Sequence, residues 1–145
     1  MKKIFALLLA LLLIFTFVGY NNKPSTDVPT AALYTSRGGI EIYEVETDSN
    51  FGSDAVKYIK VYARFLNTAD EALYMTIDSL LMYYDANGVA LPYVNDEVYE
   101  SIDSTELGPG YSVEGWVYFK IPIDVEVVRL ECTAEGGIGV FLYNV

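Results

Sequence analysis

The sequence predicts an all-β sandwich, on three observations: apolar and polar residues alternate across 111–121, turn-forming residues recur at short intervals, and no helical period of useful length follows the first twenty residues. A period of two with one apolar face marks a half-buried strand. Tyr111, Val113, Gly115, Val117, Phe119 and Ile121 form the inward row, and Ser112, Glu114, Trp116, Tyr118 and Lys120 the outward one. Gly108-Pro109-Gly110 turns the chain into this strand and Pro122 closes it. About seven or eight short strands at this spacing make a sandwich of antiparallel sheets.

At the amino end, Met1-Lys2-Lys3 is a basic n-region and residues 4–18 are apolar apart from Thr16, the pattern of a bacterial secretory signal. The run is shorter than the ~20 apolar residues of a comfortable membrane span. Residues 17–22 resemble the lipobox of bacterial lipoproteins, with Tyr20 where the lipidated cysteine belongs. Lipidation needs a thiol, so it is excluded at Tyr20. Retention as an anchor, cleavage at an imperfect site and descent from a lipoprotein that lost its cysteine all stay open. Residues 1–20 are therefore expected to be a helical signal peptide or membrane anchor. Residues 21–30, with two prolines and small polar side chains, suit an extended linker. Residues 31–145 form one domain.

Within that domain, residues 32–34 are a short strand, and Arg37-Gly38-Gly39 turns into 40–46, with Ile40 and Ile42 on one face and glutamates on the other. Residues 47–53 are a loop. In the strand 55–66, Ile59, Val61, Ala63 and Phe65 face inward while Tyr58, Lys60, Tyr62 and Arg64 face outward. A polar turn at 67–71 leads to a strand over 73–77, a bulge or crossing at Asp78-Ser79, and a strand over 80–84. Asn87-Gly88 supplies the positive φ angles of a hairpin returning through 89–93. Residues 94–104 read as an acidic loop or weak edge strand, and 125–133 and 137–143 as the last strands.

Bulk composition restricts function. The chain has 145 residues, room for one domain with a real core. Its formal charge is −11, and −13 without Lys2 and Lys3, so phosphate backbones and anionic lipid repel it and nucleic acid is a poor partner. Histidine is absent, which removes the usual general base and zinc ligand. Cys132 is the single cysteine and has no internal disulfide partner; in phase with Leu130, it reads as a buried structural thiol.

Three pieces carry a resemblance: Phe65-Leu66-Asn67-Thr68-Ala69-Asp70, Tyr84-Asp85-Ala86-Asn87-Gly88, and Leu107-Gly108-Pro109-Gly110 leading to Gly115-Trp116-Val117-Tyr118-Phe119-Lys120-Ile121-Pro122. In these the chain resembles a family of uncharacterised extracytoplasmic domains, common in bacterial lipoproteins and related to a secreted mycobacterial antigen. The resemblance implies an immunoglobulin-like antiparallel β-sandwich and carries no catalytic residues. A lipobox cysteine is usual ahead of such domains, so Tyr20 is the departure.

Two groups of residues are candidate sites. Tyr58 and Tyr62 lie on the outward row of one strand, Trp116 and Tyr118 on that of another. If the strands are neighbours, four aromatics make a stripe able to bind a sugar, a peptide or a protein. The competing reading is structural, since cross-strand aromatic pairs stabilise a sheet by ~0.2–1 kcal/mol each; Trp116 also suits the core if the phase is reversed. Asp96, Glu97, Glu100 and Asp103, with Glu106, could hold calcium, although their spacing is not that of an EF-hand and a solvated acidic loop is the competing reading. Nothing in the spacing selects a glycosidase pair from these carboxylates.

The expectation is an exported, secreted or membrane-anchored domain, non-enzymatic, acting as an interaction module for an unidentified protein or glycan at the cell surface. The alternative is a carbohydrate- or calcium-binding surface module. No cofactor is expected beyond that calcium, and the membrane is met only through the N-terminal segment.

Overall fold

The computed structural model describes residues 24–48, 53–83, 93–94, 101–134 and 137–145. These hold strands β1 (Ala31–Tyr34), β2 (Gly38–Asp48), β3 (Val56–Asn67), β4 (Leu73–Met75), β5 (Leu80–Tyr83), β6 (Thr105–Leu107), β7 (Ser112–Pro122), β8 (Val127–Ala134) and β9 (Gly137–Asn144). Every pairing between them is antiparallel. A four-stranded sheet runs β1-β2-β3-β7, a three-stranded sheet runs β5-β8-β9, and β4 pairs with β6 alone.

The alternation read in β3 and β7 is the alternation observed. Ile59, Val61, Ala63 and Phe65 of β3 and Val117, Phe119 and Ile121 of β7 are all buried. They share one core with Leu80 and Met82 of β5 and Val128, Leu130 and Cys132 of β8. Burying one such large apolar side chain is worth ~1.5–3 kcal/mol, more than the ~1 kcal/mol over which single-residue strand preferences range, so the inward rows set the register.

Strand β2 obeys that rule only through a bulge. Strict alternation over 40–46 would put Glu44 and Glu46 on the same face as Ile40 and Ile42. The register shifts instead: Ile42 lies opposite Ala63 and Glu44 opposite Tyr62, leaving Tyr43 as the extra residue. Ile40 and Ile42 stay in the core with Val45 packed against it, and the glutamates all turn outward.

At Gly108-Pro109-Gly110-Tyr111, Tyr111 N donates to Gly108 O at 3.1 Å and Gly110 has φ of 77°. Proline at the second position and a left-handed glycine at the third define a type II turn. Tyr111 belongs to this turn and not to the inward row assigned from the sequence; it is 70% exposed. Further along, Ile102 packs over Gly115, where an added Cβ would lie 2.1 Å from Ile102 Cγ2.

Other boundaries differ from expectation. The strand expected over 73–77 stops at Met75, and a 3-10 turn over Ile77–Ser79 carries the chain into β5. Strand β6 lies just past the segment read as a loop or weak edge, and β8 begins at Val127. Val94 N donates to Tyr118 O at 2.7 Å and Ile102 N to Trp116 O at 3.1 Å, so these two residues meet the outer edge of β7. The hairpin turn at 85–88 and residues 89–92 lie outside the described residues, as do 1–23. Residues 24–30, read as linker, run beside β2: Ser25 N donates to Glu44 Oε2 at 3.0 Å and Thr30 N to Ile42 O at 2.7 Å.

Lys57 belongs to the inward row of β3, a position the apolar pattern did not flag. It is buried, and its ammonium donates to the main-chain carbonyls of Val125 and Val145. An amine at the rim of a core is tolerable only with such acceptors.

Candidate functional site

The outward faces of β2, β3 and β7 form one ladder of polar and aromatic side chains. Register places Glu41, Arg64 and Glu114 in one cross-strand row, and Glu44, Tyr62 and Trp116 in the next. Glu46, Lys60 and Tyr118 follow, then Asp48, Tyr58 and Lys120. The four aromatics singled out in the sequence thus lie on neighbouring strands and on one face.

Their rings are engaged with one another and with the protein's own cations. Tyr62 and Trp116 meet edge to face, centroids 5.1 Å apart and planes at 81°, and Tyr43 meets Tyr62 at 6.2 Å and 84°. Lys60 Nζ sits 4.6 Å from the Trp116 ring centroid and 2.6 Å from Glu46 Oε2. The Arg64 guanidinium lies 5.6 Å from the Tyr43 ring and Lys120 Nζ 5.9 Å from that of Tyr58. Each cation–π contact contributes ~0.5–1 kcal/mol at an exposed site and more where water is excluded. Tyr62 is buried, while Tyr58, Trp116 and Tyr118 are half-buried.

Electrostatics follow from this packing. Burial pushes the Tyr62 hydroxyl pKa up, with the neighbouring Glu114 adding to it, and burial does the same to Tyr118. Burial works against the charge of Lys60, but its hydrogen bond and attraction to Glu46 outweigh that and its pKa is raised. The top row is tighter. Glu41 accepts from Tyr34 Oη and, at 2.7 Å, from Tyr43 Oη, and lies 3.5 Å from Arg64; Arg64 Nε donates to Glu114 at 3.0 Å. Burial disfavours the Glu41 carboxylate, yet the two hydroxyls and Arg64 together hold its pKa below the ordinary range. Tyr43 is pushed up to about 12 by burial and by its bond to Glu41.

Two small depressions border these elements. A polar cleft of about 160 Å³ lies between Pro24, Thr26 and Asp27 on one side and Tyr43, Tyr62 and Arg64 on the other. A second, of about 190 Å³, opens at the end of the fold among Gly38, Phe65, Leu73, Met75, Leu107 and Ala134. Both are below the ~300–1,000 Å³ of usual small-molecule sites. Of the acidic candidates, Asp103 and Glu106 are exposed, and Asp96, Glu97 and Glu100 lie outside the described residues. Among the described residues no three His, Cys, Asp or Glu side chains gather as a metal cage. Cys132 is buried in the core, and that burial raises its pKa to about 12.

Sequence reading found the stripe and missed the row above it. Arg64 and Glu114 were legible as outward residues, but their partnership depends on strand register, and Tyr43 joins them only through the bulge. The one available signal was the three-residue step from Ile42 to Val45, which breaks the period of two.

The architecture defines the chain as an all-β protein of antiparallel sheets enclosing one apolar core. No family model and no curated protein matches it. Solved structures do. The Bacillus subtilis protein ycdA, provisionally called a lipoprotein, superposes with a TM-score of 0.60 at 17% identity over 78% of this chain. This chain spans only 38% of the length of that protein. An uncharacterised β-sandwich protein of Clostridium difficile, CD630_09570, gives 0.57 at 18% identity, covering 84% of this chain and 95% of the other. The secreted Mycobacterium tuberculosis protein MPT63 gives 0.55 at 10% identity, covering 86% and 100%. At these identities the likeness is one of fold, and the shared fold is a β-sandwich.

Proposed function

We propose that this chain is an exported, non-enzymatic interaction module with an immunoglobulin-like β-sandwich, carried to the cell surface by residues 1–20 and docking a protein partner on the outward face of β3 and β7. The apolar leader supports export, and the secreted and lipoprotein descriptions of two structural neighbours agree with it. The observation that carries the docking face is Lys60 lying 4.6 Å from the Trp116 ring, beside Tyr118 and Tyr58. A sugar stacks on a bare aromatic face, whereas this ring already holds a cation. Half-buried rings rimmed by paired charges are the composition of a protein-binding surface, where aromatics anchor and the rim excludes water.

The test compares the intact chain with the Trp116→Ala/Tyr118→Ala variant for binding to isolated cell-envelope proteins and to a glycan array. The expected result is saturable protein binding that the variant loses, with no glycan signal. Glycan binding lost in the variant would favour the carbohydrate reading, and equal binding by both chains would remove this face from consideration. A rise in melting temperature at millimolar calcium would favour a calcium-dependent module, because an ion bound only by the folded state must stabilise it.

A further inference from the structure

The three-stranded sheet ends in β9, and β9 differs from the other long sheet edge. The outer edge of β7 is met at its centre: Val94 and Ile102 donate main-chain hydrogen bonds to Tyr118 and Trp116, and Ser101 Oγ accepts from Tyr118 N at 3.1 Å. Strand β9 pairs with β8 on one side through eight consecutive residues without a register break, and among the described residues no main-chain hydrogen bond crosses its other edge. Natural sheets blunt such edges with charge, proline or a bulge, because unpaired N–H and C=O groups template another strand. β9 has none of these. Gly137–Asn144 contains no charged residue in a chain of net charge −11. Its outward row is apolar and open to water: Ile138 is 64% exposed, Val140 53% and Leu142 72%.

We infer that β9 is a self-association edge, pairing antiparallel with β9 of a second copy about a two-fold axis that passes between Val140 and its equivalent. Two features select a second copy over another partner. The pattern is self-complementary: antiparallel pairing centred on Val140 puts Ile138 opposite Leu142 of the partner copy and Val140 opposite its own equivalent, so the exposed rows merge into one apolar strip. Charge agrees: two strongly acidic chains repel over most approaches, and β9 can be apposed without setting carboxylate against carboxylate. Three side chains and one strand edge bury far less than the ~1,200–2,000 Å² of a stable interface, so the dimer is weak in solution and gains from confinement on a surface, where effective concentration is high. The inference deepens the interaction-module reading by naming one partner, and it uses the sheet opposite the aromatic face.

Sedimentation of the full chain in non-ionic detergent, over a range of concentrations, tests it. A monomer–dimer shift is expected for the parent and for Trp116→Ala/Tyr118→Ala, which separates this edge from the docking face. The shift is expected to vanish in Val140→Lys and in Leu142→Lys, both at exposed positions and both checked for an unchanged melting transition. Independently, Val140→Cys is expected to form an intermolecular disulfide under mild oxidation, while Thr133→Cys, on β8, does not. A chain that stays monomeric at every concentration overturns the inference. So does a dimer that survives both lysine variants, which points to the leader or another face, or a Val140→Cys chain that crosslinks only to foreign protein.

Discussion

Asn67 Nδ2 donates to the Leu107 carbonyl at 2.8 Å from a position only 2% exposed, fastening the end of β3 to the turn that opens β7. The same amide donates to Glu71 O at 2.8 Å and Gly108 O at 3.2 Å, and its Oδ1 accepts from Ala69 N at 2.9 Å. Main-chain bonds reinforce the join: Asn67 N donates to Tyr111 O and Gly110 N to Asn67 O, each at 3.0 Å. Two of the sequence pieces that carry the family resemblance, the Asn-Thr strand end and the Leu-Gly-Pro-Gly turn, are thus one structural unit. Asn67→Ala leaves buried carbonyls unsatisfied and is expected to cost about 2–3 kcal/mol in urea unfolding. Asn67→Asp keeps the acceptor for Ala69 and loses the donors, so it is expected to be no better. A loss below ~0.5 kcal/mol for both would show that this join does not hold the fold.

Gly115 is expected to reject a methyl group. Its Cβ would sit 2.1 Å from Ile102 Cγ2, and Ile102 is branched and partly buried against the core. Gly115→Ala is expected to destabilise by about 1–3 kcal/mol, with Gly115→Ala/Ile102→Ala losing less than the sum of its single variants. Additive losses in chemical denaturation would disprove the contact.

The acid and alkaline limbs of stability have different owners. The pKa of Glu41 is depressed in the folded chain below the ordinary 4.5, so its contribution is present above that value and is lost as pH falls through the folded pKa. The pKa of Tyr43 is raised from 10.0 to about 12, so its contribution is complete below pH 10.0 and is lost as pH climbs toward about 12. Melting temperature should therefore fall below about pH 4.5 and again above about pH 10. Glu41→Gln should soften the first decline, part of which stays with Glu46, also lowered by its hydrogen bonds with Glu44 and Lys60, and Tyr43→Phe should soften the second. Tyr34, Tyr62, Tyr118 and Tyr143 are also raised and keep part of the alkaline decline in place. Unaltered pH profiles in both variants would show that this row does not control either limb.

Cys132 should behave as a reporter of unfolding. It is fully buried beside Leu130 with its pKa raised to about 12, so at pH 8 it holds almost no thiolate and no path to solvent. Maleimide labelling of the native chain is expected to be slower by orders of magnitude than in urea. Rapid native labelling would mean that the three-stranded sheet opens locally.

By itself, the sequence determined the all-β class, the inward rows of β3 and β7, the Gly-Pro-Gly turn and the outward placement of Tyr58, Tyr62, Trp116 and Tyr118. These depend on local periodicity and on the φ preferences of proline and glycine, which a chain carries without knowing its neighbours. Tertiary structure alone decided that β3 lies between β2 and β7, that Tyr43 bulges to let Glu46 of β2 reach Lys60, and that Asn67 closes on Leu107 across forty residues of chain. It also decided that Val94, Ser101 and Ile102 meet the edge of β7, while among the described residues no main-chain hydrogen bond crosses the outer edge of β9. Such pairings follow from burial summed over whole sheets, and no local pattern encodes which two outward rows will meet.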